Sequence, residues 1–291
     1  MLVSSLFGDA LVDQIISMLR VIFGGAALDI DSLGQSVETY STSAYSTVSL
    51  IASTVVKPVS AVVISIMAVL ELARQATHIE ADRELGIKII AATMFKLVFL
   101  IVIAQNADLI IGAINGMVDT IMHGMLSVAP SAPGGSEPDW AALTEQVKEA
   151  SFFDRLGLWL ALAVPWIIAS LAGVVIKVMV WLRFMEMYLL SAFVTLPLAF
   201  FANPDTKSVA IGYLRRYAAA ALGGAVLILV VVVYAYSATS LTGGSLADFG
   251  DYSSLSVWAT RNFGNLILAP LALIVLAVTS PRIARALVGE G

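Results

Sequence analysis

The chain has no cysteine and only two histidines, His78 and His123. Without thiols there is no disulfide, no thiolate metal site and no cysteine nucleophile. Neither histidine has a second one at the H-x-x-x-H spacing of a helical zinc site. No phosphate-binding G-x-x-x-x-G-K-[ST] loop, G-x-S-x-G elbow or G-x-G-x-x-G fingerprint occurs. No catalytic, cofactor or metal residue is therefore expected, an enzyme is not expected, and any ATP-driven step belongs to another polypeptide. Charge is scarce too, at 13% of residues. The start, Met1-Leu-Val-Ser-Ser, carries no basic n-region, so a removable signal peptide is not expected.

Apolar residues fill the space that charge leaves. They make up 59% of the 291 residues, and the mean hydropathy is +0.92, far above a soluble domain. The stretch from Leu156 to Phe201 is interrupted only by Lys177, Arg183 and Glu186. About 20 apolar helical residues cross a hydrocarbon core of about 30 Å. This block is roughly twice that length, so it must cross and then turn back inside the membrane or at its face. The three charges sit near its middle, where that turn is expected. The fold class that follows is all-α, a polytopic transmembrane helical protein.

Taken in order, residues 2–27 predict an amphipathic helix. Asp9, Asp13, Gln14, Ser17 and Arg20 gather on one side, with Leu11, Ile15, Ile16, Leu19 and Phe23 on the other. Such a face suits an interfacial helix lying along the membrane, ended by Gly24-Gly25. Full spans are expected at 48–73, 89–107, 157–181, 213–239 and 262–280. A re-entrant or interfacial element is expected at 184–201. Residues 109–125 extend the second span, with Gly112, Gly116 and Gly124 at multiples of four. Small residues so spaced either let two helices approach closely or form the thin side of a surface helix. A loop with Pro130, Pro133, Gly134-Gly135 and Pro138 follows, and Ser136 is the expected cap of a short helix from Asp139 to about Phe153. The expected division is an extracytoplasmic segment 1–46, two spans with their extension 47–125, an extracytoplasmic loop 126–155, and a bundle with a short cytoplasmic tail 156–291. No internal repeat is visible, which speaks against an inverted-repeat transporter.

Basic residues set the threading. Residues 1–46 hold one basic and five acidic residues, and 108–155 hold two basic and seven acidic, so both belong outside. The Glu71–Lys88 loop with its three basic residues belongs inside, as do Lys207, Arg215 and Arg216. The 240–260 loop, acidic and without a basic residue, belongs outside, although Arg261 just beyond it counts mildly against this. These assignments agree only if 184–201 does not cross. Five spans then give an outward N-terminus and an inward C-terminus in the cytoplasmic (inner) membrane. Six spans are the alternative.

Charged groups inside spans cost at least about 2.5 kcal/mol by insertion scales, so they face a cavity or a partner. Counting from the outer ends of their spans, Lys57 and Lys96 are expected at nearly the same depth. There they either form a cationic belt along a route for an anionic polymer or snorkel to headgroups, carbonyls or a lipid phosphate. Lys177, Arg183 and Glu186 form a second cluster, in which Arg183 and Glu186 have the spacing of an ion pair. These charges serve either the substrate path or simply mark the cytoplasmic face, and Glu71 with Arg74 repeats the pattern.

Certain runs resemble a known family: Val56-Lys57-Pro58 through Leu70-Glu71-Leu72, Glu84-Leu-Gly-Ile-Lys88, Asn106-Ala-Asp108, Arg183-Phe-Met-Glu-Met, Leu196-Pro197-Leu-Ala-Phe and Gly212-Tyr-Leu-Arg-Arg-Tyr-Ala. From about residue 45 onward the pattern is similar to the TrbL-like polytopic channel subunits of type IV secretion and conjugation machines. The resemblance implies a homo-oligomer in the cytoplasmic membrane, surrounded by lipid. It would help pass DNA or protein substrate and work with a separate secretion ATPase, a coupling protein and other membrane subunits. It transfers no catalytic motif. The chain departs from the family in lacking a long soluble C-terminal extension and in its modest central loop. The alternative is a stand-alone small-molecule transporter or ion channel, with a closed pocket in one subunit. A scaffold that shapes lipid around a motor is a third class.

Overall fold

The computed structural model describes residues 2–24, 30–76, 83–128, 139–241 and 255–289, and among these there are helices and no strand. The Pro/Gly loop with Ser136, the residues around His78 and the Gly/Ser/Asp loop lie outside the described residues. Six helices are long and apolar enough to cross a membrane: Thr42–Ala76, Lys88–Gln105, Ala107–Val128, Phe152–Phe193, Lys207–Tyr234 and Phe263–Leu287. The fold is all-α and polytopic. Five of the six fall on the expected spans, and the sixth is the segment read as an extension of the second.

The chain forms two compact units. The first comprises Met1–Gly34, Met122–Trp181 and Val226–Ser280. Its helix α1 (Leu2–Gly24) carries the expected amphipathic pattern: Val12, Ile15, Ile16, Met18, Leu19 and Ile22 are buried, while Asp9, Asp13, Gln14, Ser17 and Arg20 are exposed. What covers the apolar stripe differs from expectation. Protein covers it, through Leu143 and Val147, Leu158 and Leu162, Leu255, Trp258 and Leu266. Helix α1 is thus packed along its apolar face against the rest of the first unit.

Chain order continues with α2 (Ile30–Leu33), α3 (Val37–Tyr40) and α4 (Thr42–Ile51), then a π-helical turn, Ala52–Val56, leading into α5 (Lys57–Ala76). The π turn has a local cause. Pro58 has no N–H for the carbonyl four residues back, and its ring crowds that carbonyl. Widening the ladder relieves the clash. The Lys57 N–H accordingly donates to the Ala52 carbonyl. The first span thus starts at Thr42, six residues before its expected start.

Helices α6 (Arg83–Gln105) and α7 (Ala107–Val128) are separated by Asn106 alone. Its amide Nδ2 donates to the Val102 carbonyl at 2.8 Å, satisfying a group at the end of α6. Helix α8 (Trp140–Glu149) is capped by Asp139, whose Oδ1 accepts from the Ala141 and Ala142 N–H groups at 3.1 and 3.0 Å. Asp139 therefore takes the capping role expected of Ser136, and Phe153 belongs to the next helix.

That helix, α9 (Phe152–Phe193), runs unbroken for 42 residues. At about 1.5 Å per residue it is about 63 Å long, twice a hydrocarbon core. Lys177, Arg183 and Glu186 lie on it as helical residues, so the expected turn is not at the charges. It comes at Val194, before α10 (Thr195–Ala199) and a 3-10 turn, Phe200–Ala202. Pro197 explains the position, because it cannot donate to the carbonyl of Phe193. Helices α11 (Lys207–Leu241), α12 (Leu255–Arg261) and α13 (Phe263–Leu287) complete the chain. In the first unit, Asp154 at the start of α9 accepts from the Leu255 and Ser256 N–H groups, each at 3.1 Å, and holds the start of α12.

Candidate functional site

The second unit, Gln35–Ile121, Leu182–Ala225 and Pro281–Gly291, holds most of the singled-out charges. Within it, α5 and α6 pair antiparallel, and α10 packs against both. Lys57 Nζ donates to Asp108 Oδ2 at 2.8 Å, beyond the C-terminal end of α6. Asp108 sits in the first turn of α7, where the helix dipole favours an anion.

Fourteen residues further along α5, about 21 Å by helical rise, lies Glu71. Its side chain is 3% exposed. Lys96 Nζ and Arg74 Nη1 each approach it to 4.0 Å, and Gln75 Nε2 donates to Oε1 at 3.1 Å. Lys96 also donates to the Ala202 carbonyl at 3.2 Å, and Arg74 reaches Asp205 at 3.5 Å. The two lysines therefore stand at opposite ends of the helix pair, not at one depth. The antiparallel register sets Lys57 against residue 108 and Glu71 against residue 96. A single cationic belt from Lys57 and Lys96 is not formed within the chain.

A third cluster joins α7, α9 and α11 within the same unit. Arg183 is 9% exposed, and its guanidinium lies over the Phe184 ring at 5.0 Å. It also lies against Gly224, where a Cβ would overlap Nη1 and Cζ. Only glycine leaves that space. Asp119 is the acidic group electrostatically coupled to it. Tyr217, fully buried, donates to Asn115 Oδ1 at 2.9 Å, and the Tyr213 hydroxyl donates to the Leu190 carbonyl. Glu186, expected beside Arg183, pairs instead with Arg216 at 3.4 Å. Phe184 further stacks on Tyr40 at 3.9 Å, and the Tyr188 hydroxyl donates to the Val37 carbonyl at 2.8 Å. These contacts fasten the Ser/Thr-rich segment after α2 onto the end of α9.

Lys177 belongs to the first unit and is exposed. Gly112, Gly116 and Gly124 face open space, with nothing of the described chain within 4 Å of a built Cβ. Among the described residues they pack against no other helix. Sequence reasoning passed over Gly224, Thr195 and Asn115, which carry no periodic or motif signal, and met Ser60 and Tyr217 only inside longer runs. Asp108 was visible only as part of a run. Among the described residues, no group of three His, Asp or Glu could hold a metal ion.

The described charges of the second unit thus form ion pairs on long apolar helices, with Glu71 the buried partner. The family model described as TrbL/VirB6 plasmid conjugal transfer like protein matches residues 29–195, more than half of the chain. The chain belongs to the TrbL/VirB6 family. No curated protein and no solved structure matches it. The match begins earlier than the resemblance, at residue 29, and stops before the Leu196-Pro197 and Gly212-Tyr213 runs. This TrbL/VirB6 family member is a multi-pass membrane component of a conjugal transfer system. Lys57, Lys96, Arg183, Glu186, Gly112 and Gly116 all lie within the matched range.

Proposed function

We propose that the chain is a platform or channel subunit of a type IV secretion machine, oligomerising in the cytoplasmic membrane to help pass DNA or protein. A separate ATPase, a coupling protein and other membrane subunits supply what it lacks. The family match over residues 29–195 carries this reading. The open faces of Gly112, Gly116 and Gly124 support oligomerisation, because small residues let another helix come close. Lys57, Lys96, Arg183 and Glu186 each hold contacts inside the second unit. Exposed Lys177 is thus the candidate best suited to meet a passing polymer.

The placement of basic residues favours five crossings, with the N-terminus outside and the C-terminus inside. The Tyr188 bond to the Val37 carbonyl and the Phe184–Tyr40 stack bring the end of α9 to the segment expected outside, and count against it. Helix α7 follows α6 after one residue, and an antiparallel helix pair needs a loop of about 2–5 residues. So α7 extends α6 and does not return across the membrane. Residues 195–205 run beside α5 from Ser60 to Arg74, about 21 Å by helical rise and short of a crossing of about 30 Å. Irregular backbone at that depth must be enclosed by protein. Thr195, Leu198, Ala199 and Ala202 are buried, as a re-entrant element requires.

The test is in-frame deletion of the gene in its conjugative element. Transfer is expected to stop and to return on complementation; transfer at the parental frequency refutes the proposal. Single cysteines at Ser43 and Ser208 test threading in this cysteine-free chain. Only Ser43 is expected to react with an impermeant thiol reagent added outside, and labelling of Ser208 would overturn the five-crossing arrangement.

A further inference from the structure

Between α5, α6 and α10 the second unit encloses a cavity of about 300 Å³. Ser60 and Thr195, each 2% exposed, give it a polar floor, their hydroxyls 2.9 Å apart. Ile64, Ala104 and Ile101 form apolar walls, and Lys57 stands at the mouth. The mouth lies where the lining residues Ala61, Ser65, Ile101 and Gln105 are exposed, on the flank of two candidate spans where Val62, Val98 and Val102 are half or more exposed as well. Such a flank faces acyl chains in a bilayer.

At that mouth the Lys57–Asp108 pair is not sealed. The Lys57 side chain is 33% exposed and that of Asp108 67%. An ammonium has three donors, and Asp108 takes one. The carboxylate keeps acceptor capacity as well. A phosphate facing Lys57 alone would gain, but Asp108 repels any ligand of net negative charge. A cation meets the mirror problem. A ligand carrying both charges, phosphate next to ammonium, satisfies both groups, because complementary charge placement decides partner choice.

We propose that this cavity binds a zwitterionic phospholipid with a primary-ammonium headgroup. The phosphate sits on Lys57 and the ammonium on Asp108, while the first carbons of one acyl chain enter between Ile64, Ile101 and Ala104. The volume, at the low end for small-ligand sites, fits the part of a lipid nearest the headgroup. The site is independent of the transfer reading and concerns only what this chain holds in the membrane.

The experiment is native mass spectrometry of purified, delipidated full-length protein. It is re-supplied with phosphatidylethanolamine or phosphatidylglycerol of matched acyl chains. The native chain is expected to retain phosphatidylethanolamine by at least about tenfold over phosphatidylglycerol. Asp108→Asn leaves a lone cation and is expected to reverse that order. Lys57→Met is expected to lose both lipids, and Ala61→Phe, at the cavity mouth, to lower retention without changing headgroup preference. Equal retention of the two lipids by the native chain would overturn the proposal. An unchanged order in Asp108→Asn, or equal retention of acyl-free glycerophosphoethanolamine, would do the same. If Lys57→Met does not fold, the Asp108→Asn comparison decides.

Discussion

The two units differ in whether they bury charge. The first is held by an apolar core in which Val12, Ile15, Leu19, Val147, Leu158, Leu162, Trp258 and Leu266 are nearly inaccessible, and its main polar fastening is the Asp154 clasp on α12. The second also buries apolar groups, among them Ile64, Leu97, Phe184, Met187 and Leu198, and adds buried charge to them. Both buried charged residues found among the described residues, Glu71 and Arg183, belong to it. Apolar packing is tolerant of like-sized exchange. A buried charge is not, since its partners have to be present at one geometry. The contrast assigns robustness to the first unit and specificity to the second.

Breaking the apolar side should give the largest effect. Trp258→Ala removes a 2% exposed indole that also packs on Phe23, and is expected to cost about 3–5 kcal/mol. The thermal midpoint in detergent reads it. The volume-conserving Leu162→Met should cost less than about 1.5 kcal/mol at a fully buried site. If the two fall equally far, the first unit is not held by packing in the way described.

On the polar side, Lys96→Met leaves the Glu71 carboxylate with Gln75 and with Arg74, which stands as near to it as Lys96 did, at 4.0 Å. Removing one partner of a fully buried pair costs about 3–5 kcal/mol. Lys96 is 44% exposed, so a loss of about 1–3 kcal/mol is expected after screening. A conservative Leu97→Met in the next position should be milder, and a larger loss there would reverse the contrast.

Gly224→Ala sharpens the comparison further. Its Cβ would occupy the space of the Arg183 guanidinium, and overpacking of this kind costs about 1–3 kcal/mol. Gly223→Ala meets nothing within 4 Å and gains up to about 1 kcal/mol of helix propensity. Adding Arg183→Met to Gly224→Ala should recover part of the loss. Equal behaviour of the two glycines in a melting series would show that the arginine does not rest on Gly224.

The smallest effect is expected at the edge of the first unit. Asp139→Ala removes the α8 cap and should cost about 1 kcal/mol, seen as faster amide exchange in the first turn of α8. Unchanged exchange would mean that another group caps the helix.

Composition and spacing alone determined that the chain is helical and crosses a membrane several times, because about 20 apolar residues leave a chain few other choices in lipid. They also placed the polar and apolar sides of α1, where period 3.6 is read directly from Asp9, Asp13, Ser17 and Arg20 against Ile15, Leu19 and Phe23. Even the end of α9 is encoded locally, in Pro197 and not in the charges. Tertiary structure decided which groups meet. Lys57 chose Asp108 and Lys96 chose Glu71 because antiparallel register is a property of two helices and not of either sequence. Gly224 became the bed of Arg183 by the rotation of α11 against α9 within the second unit. No spacing rule links residues forty positions apart, and only packing brings them together.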